Sequence, residues 1–510
     1  MTESKRETER KYEPSSSGVG GLPDLTGAGP VASVTASGPE ELDAVYHDTA
    51  DLRLAGSSAT LRRRTGGPDA GWHLKLPLTG DTREEMRAPL SDDVPDVLRE
   101  LLLSRTRGAP LRPVMRIRST RSVRHLRDAE GEVLAELSLD EVRADSLLPG
   151  GGRAEWQEVE VELADGVGAG LLDTVEKKFR KKGISRANSP SKFVRALRDT
   201  GAEGAGRPGY ATAAAPGSPG RYVLTYLEQQ VAALVALDPA ARRDLPDAVH
   251  RMRVTCRRLR SCLRSYRSVL DRRVTDPVRA ELKWLAGELG LARDQEVLRE
   301  RLTAALAGLP GDLVLGPAAA RLRVWDVSGG EEGRAHTREA LASERYLRLL
   351  DALDGLLRQP PLRAGAAGKP ARTTARAVLK EYDRLAGRVD HALELPPGAD
   401  RDAALHQARK QAKKLRYAAE VARPVLGKPA KRLGKRAKGL QQLLGDHQDS
   451  VVAQETLREL AVAAHAAGET AFTWGVLLGQ ERAGARAREE GLPSVWRTAS
   501  DPALRAALAH

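Results

Sequence analysis

The sequence predicts a multidomain chain in which a closed antiparallel β-sheet with a polar interior precedes an all-α domain of two repeated four-helix bundles. Three observations carry this expectation. Residues 5 to 163 alternate in short runs bounded by Gly, Pro and Asp, as in "ATLRRRTGG", "GWHLKLPL" and "GEVLAELSLDEV", and a period of two marks strands. Residues 166 to 198 turn helical, and "GAEGAGRPGYATAAAPGSPG", residues 201–220, is then too rich in Gly, Ala, Pro and Ser to bury a core, so it reads as a linker. Beyond it, apolar residues recur at helical spacing, interrupted near 308–331 and 358–371 by Gly/Pro-rich breaks.

Length and composition agree with several domains. At 510 residues the chain exceeds one ordinary core, since domains run to about 100–200 residues. It is 41% apolar and 30% charged, a globular balance, with a net charge of +13 that favours polyanionic partners such as nucleic acid, polyphosphate or an anionic membrane. Aromatics are only 4%, which weighs against single-stranded nucleic acid, a ligand bound by stacking. Cys256 and Cys262, six apart in a helical run, fall on different faces and fit neither a disulfide framework nor a zinc site. The opening "MTESKRETERKYEP" has no apolar signal region and no run approaches a membrane span, so a soluble cytoplasmic protein is expected.

The strands carry an unusual set of charges. In "ETERK", residues 7 to 11, a strand points Glu7, Glu9 and Lys11 to one face. An isolated run of this kind is most often a solvated tail. Here it is joined by Arg62 and Arg64 in "TLRRRTG", by Lys75 in "WHLKLP", by Asp140 closing "LAELSLD", and by Glu158, Glu160 and Glu162 opposite Val159, Val161 and Leu163. Strands that bury apolar residues on one face and line the other with both signs suit a closed sheet with a polar interior. A phosphate chain calls for several Arg and Lys. Its hydrolysis calls for a hard divalent cation held by carboxylates. A plain anion-binding groove has no use for the acids, so they discriminate.

"ETERK" resembles the ExExK signature of the CYTH superfamily, the triphosphate tunnel metalloenzymes. "VYHDTADLRLAGSSATLRRRTGG", "WHLKLP", "LSLDEV", "EVEVEL" and "SPSKFVRAL" follow in that family's order. The resemblance spans residues 5 to 200, making 1–200 the tunnel domain, and implies an eight-stranded antiparallel tunnel. It implies that Glu7, Glu9, Asp140, Glu158 and Glu160 hold Mg²⁺ or Mn²⁺, and that Lys11, Arg62, Arg64, Lys75, Arg121 and Lys192 hold triphosphate. Glu7, Glu9 and Lys11 form the implied catalytic signature. Glu162 continues the acidic face towards the mouth and ranks below Glu158 and Glu160. In "MRIRSTRS", Arg116 and Arg118 share a face while Arg121 has the opposite parity; the resemblance favours Arg121, and strand periodicity alone leaves the choice open.

The helical half, residues 221–510, repeats. "HRMRVTCRRLRSCL" from His250 matches "HQARKQAKKLRYAA" from His406, 156 residues on. "LGLARDQEVL" from Leu289 matches "LGDHQDSVVA" from Leu444, and Lys283 matches Lys438, both 155 residues on. A near-constant offset implies two related units, about 221–358 and 372–505, each with room for four helices. On a helix His250, Arg253, Arg257, Arg260 and Arg264 make one basic stripe, repeated by His406, Arg409 or Lys410, Lys413 and Arg416, with Lys431, Lys435 and Lys438 on the next helix. Charge runs are usually solvated faces, but these hold few acids and occur twice. The pattern resembles the CHAD family, helical domains with two histidine-bearing repeats. The resemblance implies inorganic polyphosphate bound by His250, Arg253, Arg257, Arg260, Lys283, His406, Arg409, Lys413, Arg416 and Lys438.

The expected function is metal-dependent hydrolysis of inorganic triphosphate or a related triphosphate, with polyphosphate bound by the helical domain. The alternatives are a non-catalytic polyphosphate receptor and an adenylate cyclase, an activity also associated with the CYTH fold. Nucleic acid is a weaker rival resting on charge alone.

Overall fold

The computed structural model describes residues 3–13, 22–202 and 214–509, in two compact units, Met1–Gly209 and Tyr210–His510. Most of the expected linker, residues 203–213, lies outside the described residues, and its end at Pro219 is already helical.

The first unit runs β1 (Glu3–Glu13), β2 (Ser33–Asp48), β3 (Thr60–Thr65), β4 (Gly71–Pro77), β5 (Thr82–Ala88), α1 (Asp96–Thr106), β6 (Arg112–Arg127), β7 (Val133–Ser146), β8 (Arg153–Leu163), α2 (Gly170–Lys181), β9 (Ser185–Arg186) and α3 (Lys192–Asp199). The sheet order is β5-β4-β3-β2-β6-β7-β8-β1, and β1 closes the ring by pairing with β5 through Glu3–Thr8 and with β8 through Glu9–Tyr12. All these pairings are antiparallel, so the expected eight-stranded barrel is present, with the short β9 added beside the end of β1.

Alternation along each strand sorts the charges inward and the apolar residues outward. Leu61, Trp72, Leu74 and Met86 meet Leu98, Leu101 and Leu102 of α1 on the outside of β3–β5. Tyr12, Leu137, Val159 and Val161 meet Leu172, Val175 and Phe179 of α2, with the Tyr12 and Phe179 rings edge-on at 4.8 Å. Burial of each such side chain contributes roughly 1.5–3 kcal/mol. The barrel's core therefore lies outside its wall, and the lumen is left to polar groups. At one end α3 packs Phe193, Ala196 and Leu197 on Ala44, Tyr46, Ile117 and Val142. Ser191 caps this helix by accepting from the Val194 amide, which fixes Lys192 as its first residue.

The β3–β4 turn depends on Gly66, whose φ of +78° and a carbonyl contact of 2.2 Å between its would-be Cβ and Glu41 leave no room for a side chain. Gly66→Ala is expected to lower stability by about 1–3 kcal/mol, read as a fall in the denaturation midpoint with the slope unchanged.

The second unit comprises α4 (Pro219–Arg242), α5 (Ala248–Ser265), α6 (Arg272–Glu288), α7 (Gly290–Ala307), α8 (Ala318–Ala342), α9 (Glu344–Arg358), α10 (Pro370–Glu394), α11 (Ala399–Ala466), α12 (Phe472–Ala499) and α13 (Pro502–Ala509). α11 is two helices joined at a kink, where Gly427 has φ 57° and ψ −126° between Pro424 and Pro429. One core is built mainly from α4, α5, α6 and α9, and a second from α10 to α13. A third joins the two repeats: Leu302 of α7, Leu309 after it and Leu322 of α8 pack on Leu457 and Leu460 of α11 and Trp474 of α12. The first repeat breaks at Leu289–Gly290, where the second continues as one helix through Leu444–Gly445, and that break frees the α7–α8 pair to cross over.

Candidate functional site

The barrel lumen is a cavity of about 280 Å³ lined by Glu7, Glu9, Lys11, Arg62, Arg64, Lys75, Arg121, Glu160, Glu162 and Lys192, together with Lys5, Asp69, Arg83, Glu85, Arg87 and Glu136. Asp140 and Glu158 are buried against Lys192 at 0% and 2% exposure. Strand register sets charges of opposite sign across from one another. Lys11 stands opposite Glu160, Arg121 opposite Asp140, and Lys75 opposite Glu85, the pairing that stabilises neighbouring strands.

The carboxylates form two sets. In the first, oxygens of Glu7, Glu9 and Glu162 all lie within 4.8 Å of one another. Lys75 Nζ is 2.5 Å from Glu7 Oε2 and 4.0 Å from Glu9 Oε2. Burial, with Glu162 and Glu85 adding like charge, pushes the Glu7 carboxyl up to about 7 against the nearby Lys75. Glu9 behaves oppositely: burial disfavours its charge, but Lys11 and Lys75 outweigh it and hold the group at about 2. A crowded set of carboxylates, Glu7 and Glu9 buried and Glu162 half-buried and 3.0 Å from Lys5 Nζ, with Glu7 pressed towards neutrality, fits a hard divalent cation, which would relieve the like charge.

In the second set, Lys192 Nζ lies 2.8 Å from Asp140, 3.0 Å from Glu158 and 2.6 Å from Glu160. Arg121 grips Asp140 with two nitrogens at 2.8 and 2.9 Å and reaches Glu160 at 3.0 Å, while Lys11 also pairs with Glu160. Burial works against the Asp140 carboxylate, yet Lys192 and Arg121 keep it below its ordinary range.

On the basic side, Arg62 Nη1 donates to the Tyr46 hydroxyl at 3.4 Å and Arg64 pairs with Asp69. Burial and the charges of Arg62 and Arg121 press Arg64 down to about 9. The Nε–H groups of Arg62 and Arg64 are buried with no hydrogen-bond partner among the described residues, donors whose desolvation an anionic oxygen would repair. The open choice on β6 falls to Arg121. β6 pairs with β7 in unbroken register from Met115 to Leu126, so Arg116 and Arg118 face outward and pair with Asp43 and Asp145.

The sequence reading did not pick out Glu85, His73 or Asp69. Glu85, 1% exposed, accepts from His73 Nδ1 at 2.9 Å and Arg87 Nε at 2.5 Å, and lies 3.7 Å from Lys75 and 3.8 Å from Arg62. Burial presses His73 down to about 4 despite that bond, and its Nε2 faces the Asp69 carbonyl at 2.8 Å. Arg83, Glu85 and Arg87 alternate inward along "TREEMRA", a signal obscured by the adjacent Glu84.

In the helical unit, Arg257 of α5 and Arg409, Lys413 and Arg416 of α11 come together. Burial, then Arg409 and Arg257, press Lys413 down to about 7. The nearby acids are Asp449, 3.6 Å from Arg409, and Glu420, 3.7 Å from Arg416. The Nε–H groups of Arg257, Arg409 and Arg416 and Nδ1 of His406 are buried without a hydrogen-bond partner among the described residues. Burial and Arg279 lower Arg260. Arg253 donates to the Gly290 carbonyl at 3.3 Å, and His250 is half-buried on the same helix. Lys283 and Lys438 are exposed on α6 and α11.

A closed barrel with a lumen of both signs defines a tunnel domain, and it is followed by a helical domain that carries a clustered basic face. The chain belongs to the CYTH and CHAD families: the CYTH domain matches residues 5–197 and the CHAD domain residues 225–458. Two uncharacterized proteins of Mycobacterium tuberculosis are 39% identical over 490 residues, covering 93% of this chain and 92% of theirs. Among solved structures, PptA from Streptomyces chartreusis is 25% identical, with 55% of this chain and 99% of that chain covered and a TM-score of 0.47. The CHAD domain from the plant Ricinus communis is 24% identical, with 59% and 95% covered and a TM-score of 0.40. The CYTH family includes divalent-metal-dependent triphosphatases, and CHAD domains bind polyphosphate. Among the described residues, no helix is long and apolar enough to cross a membrane.

Proposed function

We propose that the tunnel hydrolyses inorganic triphosphate or a related triphosphate with Mg²⁺ or Mn²⁺, and that the helical domain binds inorganic polyphosphate. The observation that carries the first part is the closeness of the two signs: Glu7, Glu9 and Glu162 converge within 4.8 Å in the same lumen as the orphaned Nε–H groups of Arg62 and Arg64. Glu7, Glu9 and Glu162 would hold the metal, with Glu160, the lumen-facing member of the second set, beside them. When bound, the ion would neutralise phosphate charge and position water. Arg62 and Arg64 bind phosphate oxygens, and Lys11 and Lys75 stabilise charge on the transferring phosphoryl group. Asp140 and Glu158 fix Lys192 and Arg121 in the orientation that serves substrate. Phosphate release from triphosphate that requires Mg²⁺ or Mn²⁺ and stops on chelation tests this reading.

The second part rests on the Arg257, Arg409, Lys413 and Arg416 cluster, whose like charges have few acids among them. Long-chain polyphosphate is expected to displace DNA and RNA from the protein at equal phosphate concentration, and Arg257→Glu with Arg409→Glu to weaken polyphosphate binding sharply. Nucleic acid winning that competition would reverse the assignment.

Binding also carries a proton. Free Lys413 is held at about 7, and a bound polyanion favours its charged form. Binding therefore takes up protons, and affinity falls as pH rises through 7 towards 9. Titration calorimetry in buffers of different ionisation enthalpy should read net proton uptake near pH 8, and the uptake should vanish in Lys413→Arg.

A further inference from the structure

Another group of metal-ligating side chains lies in the helical unit. Asp402 sits in the first turn of α11, His447 on its later half beyond the Gly427 kink, and Glu489 on α12. His447 is 2% exposed, and its Nε2 stands 3.3 Å from Asp402 Oδ1 and 3.3 Å from Glu489 Oε1. All three atoms lie within 4.8 Å of one another.

One ring nitrogen offers a single N–H or a single lone pair, so it cannot fully serve two carboxylates: it makes a long hydrogen bond to Glu489 and stands at the same 3.3 Å from Asp402. The spacing suits ligands instead. Donors about 2.1 Å from a common ion stand about 3.0–3.4 Å apart in octahedral or tetrahedral arrangements. The other oxygen of Glu489 lies 3.0 Å from Arg401 Nε in an ion pair, which leaves Oε1 facing His447.

We propose that Asp402, His447 and Glu489 form a divalent-metal site that ties both halves of α11 to α12. Its imidazole nitrogen makes it prefer Mn²⁺ or Zn²⁺ to Mg²⁺, whereas the close tunnel set of Glu7, Glu9 and Glu162 is all carboxylate.

The test uses the full chain carrying Glu7→Gln and Glu9→Gln, so that the tunnel carboxylates do not compete, titrated with Mn²⁺ and read by pulsed electron paramagnetic resonance. One Mn²⁺ per chain with coupling to a directly bonded nitrogen is expected, displaced by Zn²⁺ but not by equimolar Mg²⁺. Asp402→Asn, at the most accessible ligand, and Glu489→Gln should each weaken Mn²⁺ binding about tenfold or more, and His447→Gln should abolish the nitrogen coupling. Should His447→Gln fail to fold, the affinity of the folded Asp402→Asn variant decides. Absence of nitrogen-coupled Mn²⁺ in the parent, as for an imidazolium shared between two carboxylates, would overturn the proposal. So would unchanged affinity in Asp402→Asn.

Discussion

Glu9→Gln is expected to lower metal-dependent triphosphate hydrolysis by about 10²–10³-fold, the scale of losing one well-placed electrostatic group from an active site. Glu9 is the most secure anion of its set, since Lys11 and Lys75 overcome burial and keep it ionised down to about 2. The amide keeps the shape and removes the charge, so Lys75 still has Glu7 at 2.5 Å and Glu85 at 3.7 Å as partners. The fold should therefore survive, with circular dichroism and melting close to those of the parent. A folded Glu9→Gln protein with undiminished turnover would remove the first carboxylate set from the mechanism.

Lys192→Met is expected to cost about 3–5 kcal/mol of stability, because removing one partner strands buried charge of the opposite sign. Among the described residues, Lys192 is the one cation that touches Asp140, Glu158 and Glu160 together. Arg121 still serves Asp140 and Glu160, but Glu158 keeps only the Trp156 indole N–H at 3.0 Å. The pH dependence has a definite sign. Asp140 has a lowered folded pKa, so its contribution is present above the unfolded carboxylate range and is lost as pH falls through the folded value. In the variant Asp140 and Glu160 lose one of their cations and protonate at a higher pH than in the parent. The gap between parent and variant should be widest near neutral pH and shrink in acid. Urea midpoints for both proteins across pH 4 to 8 read this directly; a gap that stays constant or widens in acid would show that Lys192 does not stabilise through these carboxylates.

Period-two alternation made much of the tunnel legible in the sequence. Glu7, Glu9 and Lys11 share a face because a strand has no other choice, and the same rule puts Arg62 with Arg64 and Glu158 with Glu160. Which carboxylate meets which cation was hidden, because it follows from register between distant strands: β1 against β8 brings Glu9 opposite Glu162, and β6 against β7 brings Arg121 opposite Asp140. Glu162 thus joins Glu7 and Glu9 from a position that the sequence ranks last. Glu85 and His73 escaped notice because one stands beside another acid and the other is a lone histidine in an apolar strand. In the helical half the repeat was legible through its offset. The shared core of α7, α8, α11 and α12 was not, since it depends on where a single helix breaks at Gly290.

What the tunnel makes from triphosphate separates a hydrolase from a receptor and from a cyclase. Phosphorus NMR of the full chain with inorganic triphosphate and saturating Mg²⁺ or Mn²⁺ should show pyrophosphate and orthophosphate appearing in equal amounts, halted by chelation, with no cyclic nucleotide formed when ATP is supplied instead. Triphosphate that binds without turnover would make the tunnel a receptor, and cyclic nucleotide with pyrophosphate from ATP would make it a cyclase; either result contradicts hydrolysis as its function.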